Sequence, residues 1–174
     1  MKLFFALFIL ASFPASGKVL ELKKNKGTVF IEENSQWTLG KDLFGIPFML
    51  FSPMANGQRS NISFTDTGAN IQLEFQTLSS TQKDFFKNKK SWAEKVGAEI
   101  ISSTPYSLQL NNNGHRVHSA GVSYAHEGKT YVENSYFIEC KGRIIYSKSL
   151  RLIENDKHDG DFERFIQSLD CGGV

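Results

Sequence analysis

The sequence predicts an α+β domain in which a mainly antiparallel sheet is sandwiched by helices on both faces. Three patterns carry that expectation: short β-branched and aromatic runs between tight-turn residues, two amphipathic stripes at helical spacing, and apolar side chains on both sides of the strands between residues 100 and 152. Strands that follow one another through short turns build an antiparallel sheet. A βαβ chain would interpose a helix between successive strands.

Early strands are read at residues 28–31, 47–51 and 61–65, and a further strand at 71–76, where Ile71, Leu73 and Phe75 alternate with Gln72, Glu74 and Gln76. Asp66, Thr67 and Gly68 supply the turn before it. Ser79 and Gln82 have capping-box spacing, which predicts a helix from Ser79 to about Val96, with Gly97 placed to end it. Phe85, Phe86, Trp92, Ala93 and Val96 share one face of that helix and are assigned to the core.

Residues 100–152 read as a meander, because Asn111 to Gly114, Glu127-Gly128 and Lys141-Gly142 are turn signals. Two-residue hairpins at the last two would set Tyr124 opposite Tyr131 and Cys140 opposite Arg143. His118, Val122, Tyr124, Tyr131, Glu133, Phe137, Ile144 and Tyr146 then share one side. Smaller residues such as Ser119, Gly121, Ser123 and Asn134 share the other with Tyr136 and Ile138, leaving room for a helix to approach closely. Phe162, Phe165, Ile166 and Leu169 form the stripe of a closing helix over residues 161–169.

Three segments organise the chain. Residues 1–17 combine Lys2, an apolar run from Leu3 to Leu10, and the small residues Ala15, Ser16 and Gly17, which is the order of a secretory signal peptide. The apolar run is too short to span a bilayer, and no later stretch reaches the ~18 apolar residues of a membrane helix, so no membrane insertion of the mature chain is expected. Residues 18–27 form an N-terminal segment, with Lys23, Lys24 and Lys26 read as solvated, and residues 28–174 a single domain. An exported location, periplasmic or extracellular, makes the two cysteines of the chain, Cys140 and Cys171, a structural disulfide.

A formal net charge of +2 gives no ground for a nucleic-acid partner. The search for chemistry is mostly exclusion. No hydrolase elbow, zinc-protease, nucleotide-loop or dinucleotide motif is present. His115 and His118 point to opposite sides of a strand, and His126 lies too far along it from His118 to share a metal. The acidic run at residues 155–161 lacks the ligand pattern of a calcium loop, since Lys157 and Ile166 occupy ligand positions. Asn61, Ile62 and Ser63 fit a glycosylation acceptor, relevant only in a eukaryotic host. No catalytic residue, cofactor or metal ligand is assigned. Glu133, expected between Val122 and Leu150 with Lys148 diagonally near, is the candidate pocket carboxylate, its plainer reading being a surface ion pair.

The run Phe48-Met49-Leu50-Phe51-Ser52-Pro53, the following Arg59-Ser60-Asn61-Ile62-Ser63-Phe64, the capped helix, the meander and the closing Phe162-x-x-Phe165-Ile166-x-Ser168 together resemble the PsbP-like superfamily, which includes the DcrB-like bacterial exported proteins. The resemblance implies an α/β/α sandwich and a mostly non-enzymatic exported domain that binds or supports other proteins. The expected function is a non-catalytic binding or accessory protein of the cell envelope with a protein partner. One alternative is a secreted inhibitor or effector acting by protein contact, with the loop at 54–60 and the turn at 111–114 as candidate surfaces. The other is a small hydrolase in which Ser119 or Ser123 meets a histidine.

Overall fold

The computed structural model describes residues 17–22, 27–33, 35–55, 57–68, 75–153 and 158–172, without the side chains of 75–82 and 159. Most of the proposed leader, the lysines at 23, 24 and 26, and residues 155–157 of the acidic run lie outside the described residues. The elements are β1 (Gly17–Glu21), β2 (Thr28–Glu32), β3 (Thr38–Leu43), β4 (Ile46–Phe51), β5 (Asn61–Asp66), α1 (Phe75–Val96), β6 (Glu99–Leu110), β7 (Arg116–His126), β8 (Lys129–Cys140), β9 (Arg143–Leu152) and α2 (Asp159–Ser168). They make an α+β fold with a seven-stranded antiparallel sheet in the order β3-β4-β5-β9-β8-β7-β6, and a separate hairpin of β1 and β2.

The meander follows its turns. Glu127 and Gly128 both adopt positive φ, 50° and 72°, the geometry of a tight two-residue hairpin whose twist matches the strands. Tyr124 therefore faces Tyr131, Cys140 faces Arg143, and Val122, Glu133 and Leu150 line up across three strands.

Cross-strand pairing from Phe48–Phe64 and Leu50–Ile62 through to Ile138–Ile145 and Val117–Ile138 assembles one continuous apolar side. Against it pack Phe162, Phe165, Ile166 and Leu169 of α2 together with Leu20, Val29 and Ile31 of the small hairpin. The main core thus forms on the side that carries the small residues, because Ser147, Ser149 and Gly121 let the covering elements close in; all three are buried. α1 packs on the sheet through Trp92, which stands edge-on to Tyr124 with ring centroids 5.0 Å apart, and through the buried Ala93.

Several elements differ from the sequence expectation. Residues 71–74 lie outside the described residues, but Phe75 and Gln76 open α1 instead of ending a strand. The helix thus begins four residues before Ser79, and the Ser79–Gln82 pattern falls inside it rather than at its cap. Phe75 and Leu78 extend the apolar spacing of Phe85 upstream, so a period of two at 71–75 was equally the start of a period near 3.6. The C-terminal end is as expected: Gly97 adopts φ 71° and the amide of Ala98 donates to the carbonyl of Ala93 at 2.9 Å. The N-terminal segment contributes a strand, β1, with Leu20 buried in the core.

Candidate functional site

Glu133 sits in the middle of β8 with 4% of its surface exposed. Its Oε1 contacts Nζ of Lys89, about four turns into α1, and its Oε2 lies 3.0 Å from Nζ of Lys148 on β9. Two ammonium groups on one carboxylate are the arrangement that keeps a buried charge compensated. The Lys89 ammonium also stands 5.1 Å from the ring centre of Trp92 and 5.9 Å from that of Phe85, within cation–π range. Next to this cluster Tyr124 stacks on Tyr131 at 5.3 Å, and burial, together with the charge of Glu133 and the neighbouring Tyr131, pushes the Tyr124 hydroxyl up to about 12. The sequence placed Glu133 and Lys148 together; Lys89, from a different element, it did not.

Lys89 is also a wall of a cleft of about 480 Å³ between α1 and the sheet edge. Phe86, Lys90, Ala93 and Glu94 form the helix side, Ile100 and Ser103 the strand side, and Val122 the floor. Phe86, Lys90, Ala93 and Glu94 recur at the three- and four-residue intervals of a single helix face. The pins on Glu133 fix that face over the sheet.

A second cluster lies on β6, β7 and β8. His118 is fully buried, with Nδ1 against the Tyr106 hydroxyl and Nε2 at 2.5 Å from Oε1 of Glu139, whose Oε2 is 3.6 Å from Arg116. Burial, eased by Arg116 and reinforced by Glu139, holds the Tyr106 hydroxyl above its ordinary pKa. His118 thus bridges Tyr106 and Glu139 through its two ring nitrogens. Neither this cleft nor the groove below includes these three residues. The chain pins a break in β6, where the pairing register shifts between Thr104 and Ser107.

The remaining histidines are scattered: His115 against Asp170 at 3.3 Å, His126 against the carbonyl of Val96 at 3.1 Å, and His158 against Asp161 at 2.9 Å. Among the described residues no three His, Cys, Asp or Glu side chains are grouped to hold a metal. Ser119 and Ser123, the hydroxyls a hydrolase would need, bond to Ser107 at 2.8 Å and Ser102 at 2.7 Å across the strand pair. A groove of about 720 Å³ runs along α2, lined by Trp37, Phe165, Glu32 and Arg164 among others. On it, burial raises the Asp161 carboxyl, but hydrogen bonds from Trp37, Arg164 and His158 outweigh burial and leave its pKa lowered.

Cys140 and Cys171 are joined in a disulfide that ties the residues after α2 to the end of β8. The turn at 111–114 is held against α2 by its side-chain bonds. The Asn111 amide donates to the carbonyls of Ile166 and Leu169 at 3.3 and 2.7 Å, and that of Asn113 to Ser168 and Leu169 at 3.1 and 3.0 Å, so the turn caps α2. In the 54–60 loop, Ser60 is buried and bonded to Ser52, while Met54 is 62% exposed. Among the described residues the most exposed large apolar side chain is one the sequence did not single out: Phe44, 96% exposed at the tip of the β3–β4 hairpin with φ 53°, flanked by Gly45 at 77°. A Phe-Gly pair between two strand runs was the available signal.

No family model matches the chain, and no curated protein matches it in sequence. Solved structures share its fold. Cyanobacterial PsbP (CyanoP) from Synechocystis aligns with TM-score 0.58 and 9% identity, covering 92% of this chain and 95% of its own. The Ran-binding protein Mog1p of Saccharomyces cerevisiae aligns with TM-score 0.52 and 8% identity over 91% of this chain and 96% of its own. The chain has the fold of PsbP-like proteins.

Proposed function

We propose that this PsbP-like chain is an exported, non-catalytic protein-binding module of the cell envelope, built as an α/β/α sandwich with α1 over one face of the sheet and α2 over the other. The cleft between α1 and β6 carries the reading. It joins an apolar floor to a sheet edge with Ile101 56% exposed, and its helix wall is held by the Lys89–Glu133–Lys148 pins before any partner arrives. Preorganisation of that kind lowers the ordering cost of association. The same pins leave Glu133 fully engaged, which fits a structural charge better than a general acid or base. Mog1p, a Ran-binding protein, is a fold neighbour with a protein partner. The leader-like residues 1–17 and the disulfide favour an oxidising compartment.

The test is affinity capture from the exported fraction of the native host with two baits, the wild-type chain and Ile101→Lys. A protein held by the first and lost by the second is expected. Equal retention by both, or retention by neither, would overturn the reading.

A second reading, a secreted inhibitor or effector, is favoured by Phe44. An aromatic side chain standing in water on a left-handed backbone has the form of an anchor for a partner's apolar pocket. If it holds, Phe44→Ser abolishes partner retention in the same capture and leaves the far-UV spectrum unchanged.

A further inference from the structure

We infer that the α1/β6 cleft takes an extended segment of a partner polypeptide as an added strand on β6. An apolar side chain of the segment turns into the cleft over Ile100, an acidic one lies toward Lys90 and a basic one toward Glu94 and Glu99. The inference rests on the protein-binding reading above and names the chemistry of the occupant.

The two edges of the sheet are unequal. β3 is six residues long and carries Lys41 and Asp42, the charges and brevity by which an edge strand repels additional strands. β6 is twelve residues long, and from Ile100 to Leu110 it has no charged side chain. Among the described residues β7 is its only strand partner, so its outer row of backbone groups faces away from the sheet. Two register shifts, one between Ile100 and Ser102 and one between Thr104 and Ser107 beside Pro105, interrupt that row, and the Tyr106–His118–Glu139 chain holds the second in place. The template beside the cleft is therefore the short run from Ser102 to Thr104 between the two shifts, in the half of β6 that lines the cleft through Glu99, Ile100 and Ser103.

The cleft supplies side-chain selection beside that template. α1 and β6 are joined through Gly97 and Ala98 alone and run back along each other, so Glu94 and Glu99 mark the end near the connection and Lys90 and Ser103 the far end. Charge is thereby graded along the groove, negative to positive. Between the two ends lie Phe86, Ala93, Ile100 and Val122, of which Val122 is 1% and Ala93 3% exposed. A strand lying on β6 presents alternate side chains to one face, so one apolar residue enters the cleft while its neighbours but one meet the charged ends. A helical occupant would satisfy its own backbone and leave the edge unpaired. A second copy of β6 offers Glu99 and no basic side chain for the Glu94 and Glu99 end.

The probe is a displayed library of random twelve-residue peptides selected on the oxidised, disulfide-bonded chain. Enriched peptides are expected to share an uncharged β-branched or apolar centre with an acid at one end and a base at the other. N-methylation of one alternating set of backbone amides should weaken binding about tenfold or more, and of the other set hardly at all. Lys90→Glu, an exposed substitution that leaves the fold alone, should weaken the same peptides about tenfold and be rescued by peptides whose acid is replaced with lysine. Binding indifferent to N-methylation, binding unmoved by Lys90→Glu, no enrichment, or a sedimenting dimer that excludes peptide would each overturn strand addition. If a native partner is still captured in an Ile101-dependent manner, only the strand chemistry falls; if capture also fails, the binding function falls with it.

Discussion

The ammonium of Lys89 on α1 and the carboxylate of Glu133 on β8 are in direct contact, and Lys148 approaches the same carboxylate from β9 at 3.0 Å. Removing the carboxylate leaves two cations facing each other beside an apolar cleft. Glu133→Ala is expected to lower folding stability by about 3 kcal/mol, the loss typical of a broken buried pair. Lys148→Ala should cost under about 1 kcal/mol, because that side chain is 40% exposed and water replaces the interaction. Urea midpoints of the two variants read the difference, and equal losses would refute the assignment of Lys89 as the dominant partner.

Asp161 makes a pH-dependent prediction. Burial raises its pKa, and hydrogen bonds from Trp37, Arg164 and His158 bring the net value below that of an ordinary aspartate. A depressed folded-state pKa means stability that is present above the unfolded value near ~3.9 and lost as pH falls through the folded one. Asp161→Asn should therefore be less stable than wild type at pH 7, and the gap should shrink on acidification below about pH 4. Denaturation series at both pH values check this; a gap independent of pH would refute it.

Phe44 is strained and exposed at once, with φ 53° and 96% of its surface in solvent. Asparagine tolerates the left-handed region better than a phenyl-bearing residue does. Phe44→Asn is expected to raise stability by about 0.5 kcal/mol or somewhat more, while removing any aromatic anchor. Thermal unfolding of the purified variant tests the sign.

The disulfide closes a separation of 31 residues between Cys140 and Cys171. On the loop-entropy account, replacing both with serine should cost about 3 to 4 kcal/mol. Mass spectrometry before and after reduction and alkylation should show both thiols only after reduction. Two free thiols in the protein purified without reductant would contradict the pairing.

The meander was legible in the sequence because its turns are local: Glu127-Gly128 and Lys141-Gly142 close two-residue hairpins, and a hairpin's register follows from its turn. That reasoning was enough to align Val122, Glu133 and Leu150 and to bring Lys148 near. It could not bring Lys89 there, since the approach of α1 to β8 depends on how side chains pack over some forty intervening residues rather than on any local signal. β3 escaped detection because an exposed edge strand has little apolar alternation, and the start of α1 did because a short apolar run fits both periods. By itself the sequence determined the α+β class, the hairpin registers, the cysteine pair and the stripe of α2. Only the tertiary structure decided which side of the sheet holds the main core, that the 111–114 turn caps α2, and that α1 and the start of β6 leave a cleft between them. Each of these is a contact between elements distant in sequence, set by packing that no local pattern encodes.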